Sequence, residues 1–158
     1  MSKYYIKFIG INLSTIKEYL TSDHRKCDAI FAQMEEKAGN SLSDARELTE
    51  EFIHDMEQHF QMEEKVMFTE FETKTGMTEG PTAMMRLEHA QMRNLMNGLL
   101  ESISLDDKDK FFSVSETLMI LLQQHNMKEE QMLYPMAQQH LNAESERIIA
   151  MMDSIVVE

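Results

Sequence analysis

The segment His125-Asn126-Met127-Lys128-Glu129-Glu130 sets a histidine and a carboxylate four residues apart. On a helix such a pair lies one above the other on one face, so both side chains reach a common point. The same pattern, His-x-x-x-Glu-Glu, recurs at His59-Phe60-Gln61-Met62-Glu63-Glu64. Each copy follows a separate histidine that has an acidic residue directly before it, Asp23-His24 and Glu88-His89. The chain therefore reads as one hairpin written twice. Imidazole and carboxylate together are donors for cations, and two matched hairpins would bring four histidines and two glutamates to one place.

That chemistry requires helices, and the sequence supplies their signals. Thr15-Ile16-Lys17-Glu18 has the form of a capping box, and Ile16, Leu20, Cys27, Ile30, Phe31 and Met34 follow at helical spacing to about Ala38. Gly39-Asn40 is expected to end that helix in the left-handed conformation. Ser41 or Ser43 should cap a second helix that carries Leu48, Phe52, Met56, His59, Met62, Glu63 and Val66 to about Thr73. Gly76 and Gly80-Pro81 bracket the next turn, and a third helix over about 82–103 holds Met85, His89, Met92 and Met96. Asp106-Asp107 opens a fourth, with Phe112, Leu118, Leu122, His125 and Glu129 inward; Pro135 should kink or end it. Asn142 can cap a short last helix bearing Ile148, Ile149, Met152 and Ile155. The expected fold is all-α: an antiparallel up-down-up-down four-helix bundle over about 14–140, with a short C-terminal helix over 142–156. Residues 1–12 should form an arm packed on the bundle, and 1–158 is expected to be one domain.

Composition agrees with helices and excludes several partners. Only 5 Gly and 2 Pro occur in 158 residues, and the formal net charge is −13. Clustered Lys and Arg, which nucleic acids and anionic membrane surfaces reward, are missing, so neither is an expected partner. No apolar run approaches the ~20 residues that span a bilayer. Lys7 interrupts the short apolar N-terminal stretch, which argues against a signal peptide. The single Cys27 allows no internal disulfide, and the expected location is the cytoplasm. The sequence does not name the oligomeric state, and a homodimer stays open.

The six donors divide into two histidines per metal, with Glu63 and Glu129 bridging. Such a set selects borderline ions (Fe, Mn, Zn or Co), and iron suits a site with open coordination positions. Bridged metals ~3.5–4 Å apart can share an exogenous ligand such as dioxygen, nitric oxide or peroxide. A lone histidine on an apolar helix face is usually a hydrogen-bonded core residue, but four in a duplicated pattern are not explained that way. Glu64 and Glu130, five residues after their histidines, are rotated off that face and are expected outside the metals' immediate reach. His54 and His140 are expected at the surface, Cys27 and most of the 16 Met in the core. A ferritin-like oxidase uses two Glu-x-x-His motifs, and this chain has only Glu51-Phe52-Ile53-His54. The pattern thus favours a binder over an enzyme.

His59-Phe60-x-x-Glu63-Glu64, then Gly80-Pro81 with Leu87-Glu88-His89, then His125-x-x-x-Glu129-Glu130 with Leu133-Tyr134-Pro135, resemble the hemerythrin-like (HHE cation-binding) proteins over about residues 14–140. The resemblance implies a four-helix bundle with a non-haem diiron centre, two iron ions joined by an oxo or hydroxo bridge. It implies His24, His59, His89 and His125 as ligands, and Glu63 and Glu129 as bridging carboxylates. Oxygen-carrying hemerythrins use a fifth histidine four residues from another on the third helix, whereas Met85 and Arg93 flank His89 at that distance here. The expectation therefore moves from oxygen transport to binding or sensing a small ligand in stress response or iron homeostasis. Repair of iron-sulfur centres by iron donation and a diiron oxidase or peroxidase are the alternatives.

Overall fold

Thr15 starts the first helix by accepting the N–H of Glu18 on its Oγ1 at 3.1 Å, in the extended conformation that an N-cap requires. The computed structural model describes residues 15–158, so the expected N-terminal arm lies outside the described residues. Helix α1 (Ile16–Asn40) buries Ile16, Leu20, His24, Cys27, Ile30, Phe31 and Met34 along one stripe. Helix α2 covers 46–75 in three pieces: α-helical Arg46–Met62, a π-helical turn Glu63–Met67, and α-helical Phe68–Thr75. Helix α3 (Pro81–Ser104) begins with proline in its first turn, where no N–H is needed. Helix α4 covers 108–141: Lys108–Lys128, a second π-helical turn Glu129–Leu133, and Tyr134–Leu141. Helix α5 (Ser145–Asp153) is the short C-terminal element.

Around the bundle α1 packs on α2 and α4, and α3 on the same pair, while the final segments of α2 and α4, Phe68–Thr75 and Tyr134–Leu141, also meet each other. The short connections at 41–45, 76–80 and 105–107 force antiparallel neighbours, which gives the all-α four-helix bundle. Helix α5 lies across α1 and the π turn of α2, tied by Tyr19 Oη donating to Asp153 Oδ1 at 2.9 Å and Gln58 Nε2 to the Ile155 carbonyl at 3.2 Å. Among the described residues no helix is long and apolar enough to cross a membrane.

Several chain turns differ from expectation, each for a local reason. Gly39 stays helical, and α1 ends one residue later against an extended Ser41 whose N–H bonds to the Lys37 carbonyl. Neither Ser41 nor Ser43 caps α2; their hydroxyls bond each other at 3.1 Å, and a 3-10 turn, Ser43–Ala45, leads in while burying Leu42 and Ala45. Asp107 alone caps α4, accepting the Lys110 N–H at 2.9 Å, while Asp106 takes a left-handed φ of 52°. Phe111 enters the core in place of Phe112, which packs at its edge. Pro135 neither ends nor breaks α4. It falls in the first turn of the α-helix that resumes after the π turn, where its missing N–H costs nothing. Asn142 begins a 3-10 turn and gives no side-chain cap.

Two glycines make the backbone argument testable. Gly76 closes α2 with φ 74°, and a Cβ added there would touch nothing, so Gly76→Ala meets backbone strain alone. Gly39 is helical and equally open. Urea unfolding is expected to show Gly76→Ala destabilised by about 1 kcal/mol and Gly39→Ala stabilised by about 0.5–1 kcal/mol. Equal signs would contradict the assignment of the two helix ends.

The core divides into two apolar clusters. One holds Cys27, Phe31, Met34, Phe52, Met56, Phe60, Met92, Leu99 and Leu122; the other holds Ile16, Leu20, Met62, Phe68, Phe71, Met85, Leu133 and Ile148. On every main helix the histidine falls at the junction: Leu20 and Cys27 flank His24, Met56 and Met62 flank His59, Met85 and Met92 flank His89, and Leu122 and Leu133 bracket His125 and Glu129. A polar layer is thus enclosed between two apolar ones.

Candidate metal centre

In that layer His24, His59, Glu63 and Glu129 bring one donor atom each within 4.8 Å of one another, and so do Glu63, His89, His125 and Glu129. All six side chains are buried, both glutamates completely. The four imidazoles turn their Nε2 atoms inward: His24 Nε2 lies 3.1 Å from that of His59, and His89 Nε2 lies 3.2 Å from that of His125. Glu63 and Glu129 belong to both groups, whereas each histidine belongs to one. The structure therefore assembles all six of the residues singled out by spacing.

The four outward Nδ1 atoms are equally ordered. His59 donates to Asp23 at 2.8 Å and His125 to Glu88 at 2.8 Å, each within one hairpin. His89 donates to Glu64 at 2.7 Å and His24 to Glu130 at 2.9 Å, each across to the other hairpin. The acidic neighbour of every motif residue thus serves a histidine on another helix. Glu64 and Glu130 stand outside the inner ring, as expected, but they are engaged. Three outer carboxylates hold a cation of their own: Arg93 on Glu64 at 2.9 Å, Arg25 on Glu130 at 3.1 Å, and Lys128 on Glu88. An Nδ1–H directed outward leaves the neutral ring's Nε2 lone pair facing the centre, the tautomer that a metal requires.

Charge follows from this arrangement. Burial opposes protonation of all four imidazoles, but the carboxylates around them outweigh it and raise each pKa above the ordinary 6.5. Burial likewise opposes ionisation of Asp23, Glu64 and Glu88, and hydrogen bonds from His59, His89 and Lys128 outweigh it. Glu64 falls to about 2. Glu129 is held well below the carboxylate range, burial again being outweighed by His125 and His24. Fixed negative charge, tightly buried, has been assembled around imidazoles that can exchange protons for cations.

Two observations test whether cations fit. Glu63 Oε2 lies 3.1 Å from His89 Nε2 and Glu129 Oε1 lies 3.1 Å from His125 Nε2, yet neither oxygen accepts a hydrogen bond. Buried carboxylate oxygens without partners are costly unless a cation meets them. The paired Nε2 atoms also face one another lone pair to lone pair, which a shared cation relieves. The donor set of imidazole and carboxylate suits iron, manganese, zinc or cobalt. The residues fit a pair of such ions.

Spacing did not identify Tyr134. Its hydroxyl is fully buried and donates to Glu63 Oε1 at 2.6 Å, with Glu129 Oε2 and His24 Nε2 each at 3.0 Å. Five residues after Glu129, it would be turned well off that face in a regular α-helix. The π turn closes the Tyr134 N–H onto the Glu129 carbonyl and returns the side chain to the centre. Phe68 stands in the same relation to Glu63 through the other π turn. Its ring stacks on His89 with centroids 5.8 Å apart, alongside Phe60 at 4.1 Å.

The remaining candidates take structural places. His54 and His140 are exposed, the latter edge-on to Phe71 at 5.9 Å. Cys27 is buried in the apolar cluster, and burial pushes its thiol pKa up. Met85 is core, and Arg93 turns away from the centre to grip Glu57 and Glu64. Exchanging Glu64 or Glu130 for Gln is expected to weaken metal affinity by roughly 10–100-fold without changing the number of metals held. Competition with a chelator measures it, and unchanged affinity in both variants would show the outer carboxylates to be idle.

A model of the hemerythrin HHE cation binding domain matches residues 15–137. No curated protein and no solved structure matches the chain.

Proposed function

The chain belongs to the hemerythrin HHE cation-binding family, and from that premise we propose that it holds two iron ions and through them binds a small ligand, dioxygen, nitric oxide or peroxide. The observation that carries this reading is the presence of Glu63 and Glu129 in both four-residue groups, which is the requirement for two bridging carboxylates. His24 and His59 complete one metal position, His89 and His125 the other.

When bound, a pair of iron ions supplies redox-active positions at which small oxygen- or nitrogen-containing molecules coordinate. The chain's own residues decide how selectively that happens. The Asp23–His59, Glu88–His125, Glu64–His89 and Glu130–His24 hydrogen bonds lock ring orientation and raise the basicity of each inward nitrogen. Phe60 and Phe68 stack on His89, and Met62, Met85 and Met92 close the surrounding core against bulk water. No histidine stands one turn either side of His89, since Met85 and Arg93 occupy those places. The centre is therefore open to added ligands but lacks the fifth imidazole of an oxygen carrier, which favours binding or sensing over transport. A role in stress response or iron homeostasis in the cytoplasm follows from this reading.

The test is to load the protein with iron(II) without air, measure iron per chain, and titrate with nitric oxide and azide while following the visible spectrum. About two iron ions per chain and saturable spectral changes are expected. Less than about one iron per chain, or spectra indifferent to both ligands, would overturn the reading.

A further inference from the structure

We infer that the Tyr134 hydroxyl oxygen is a direct ligand of the metal position held by His24 and His59, so that the two halves of the centre are chemically unequal. The inference rests on the diiron reading above and adds a seventh protein donor to it.

One hydroxyl carries one hydrogen, yet three acceptors surround this one: Glu63 Oε1 at 2.6 Å, Glu129 Oε2 at 3.0 Å and His24 Nε2 at 3.0 Å. His24 already donates its Nδ1–H to Glu130, so its Nε2 presents a lone pair. A single proton satisfies one acceptor well and leaves lone pairs of the phenol facing the others. A cation among these four atoms turns the same contacts into coordination. Donors around one six-coordinate ion, at bonds of ~2.1 Å meeting near right angles, lie about 3 Å from each other. The Tyr134 oxygen keeps that spacing from three members of the first group. On coordination the O–H bond is exchanged for an oxygen–metal bond, and the proton leaves to solvent.

The internal repeat supplies the control. Glu63 and Glu129 are counterparts, each opens a π turn, and each turn closes onto an aromatic residue, Phe68 in one half and Tyr134 in the other. Phe68 stacks on His89 as Tyr134 stacks on His24, with centroids 5.8 and 5.5 Å apart at 17° and 28°. The hydroxyl is the feature that separates them. It fills space beside the His24 and His59 position only, and leaves the position of His89 and His125 as the more open one for an added ligand.

Tyr134→Phe gives this half the residue that the other already folds around. Wild type and variant are loaded with iron(II) without air and oxidised; iron content, visible absorption and resonance Raman spectra are then compared. The expected result is a ferric phenolate charge-transfer band with tyrosine ring modes in the wild type, both lost in a variant that keeps its iron. A wild-type protein with two iron ions and no phenolate signature overturns the assignment while leaving the diiron reading intact, as does a band that survives in Tyr134→Phe. A chain that takes up no iron overturns the reading of the centre and this inference with it.

Discussion

Glu129→Gln is expected to strip metal from both halves of the centre, whereas His125→Ala should empty chiefly one. The asymmetry comes from membership. His125 reaches only the second group, with His89, but Glu129 reaches His24 Nε2 at 3.1 Å on one side and His125 Nε2 at 3.1 Å on the other. A glutamine keeps the size of the side chain and loses the charge and the second equivalent oxygen on which bridging depends. Both positions then lose a ligand at once, an effect beyond the 10–100-fold expected for an outer carboxylate. After equilibration with iron(II) and gel filtration, elemental analysis should give about two metals per chain in the wild type, about one in His125→Ala, and less than one in Glu129→Gln. Circular dichroism should show the helices retained. Two metals held by Glu129→Gln would mean that Glu129 is not shared.

The six inner residues were legible in the sequence because type and spacing alone define them. A histidine and a glutamate four apart share a helix face whatever the neighbouring helices do, and the repetition of the pattern removed coincidence. The partners of the outer carboxylates were not legible. That Asp23 serves His59 while Glu64 serves His89 depends on the relative heights and rotation of packed helices, which no single stretch of sequence records. Adjacency was visible in Asp23-His24 and Glu63-Glu64; its purpose was not.

Tyr134 was hidden for a different reason. A buried aromatic residue on a helix is ordinarily core, and 3.6-residue periodicity places it off the face of Glu129. The π turn that corrects its direction is not written in any propensity. The available signal was the repeat itself, since aligning His59 with His125 sets Phe68 against Tyr134 and exposes a hydroxyl in one half only. Helix ends were similarly ambiguous. Gly39 and Gly76 look alike as stop signals, yet only Gly76 takes a left-handed φ, because α1 ends one residue beyond Gly39 on an extended Ser41.

Removing the metals is expected to destabilise the protein, and by more as pH rises from about 6 to 8. Without cations, only protonation of the imidazoles can meet the inner carboxylate oxygens that otherwise lack a partner, and those imidazoles have folded-state pKa values raised above their unfolded 6.5. A raised pKa stabilises the fold fully below the unfolded value, and that stabilisation is lost as pH climbs through the folded value. At higher pH the metal-free centre therefore keeps buried carboxylates facing imidazole lone pairs, with nothing between them. The loaded protein has the opposite dependence, because metal ligation needs the imidazoles deprotonated and protons compete for the same nitrogens. Melting curves of chelator-treated and iron-loaded protein should accordingly converge toward pH 6 and separate toward pH 8, with metal released as acid wins the competition. Linkage gives the slope, since each imidazole that holds a proton in the folded state and loses it on unfolding changes stability by about 1.4 kcal/mol per pH unit. Curves that stay parallel across this range would show that the four histidines do not exchange protons for metal, and would separate the stability of the bundle from the occupancy of its centre.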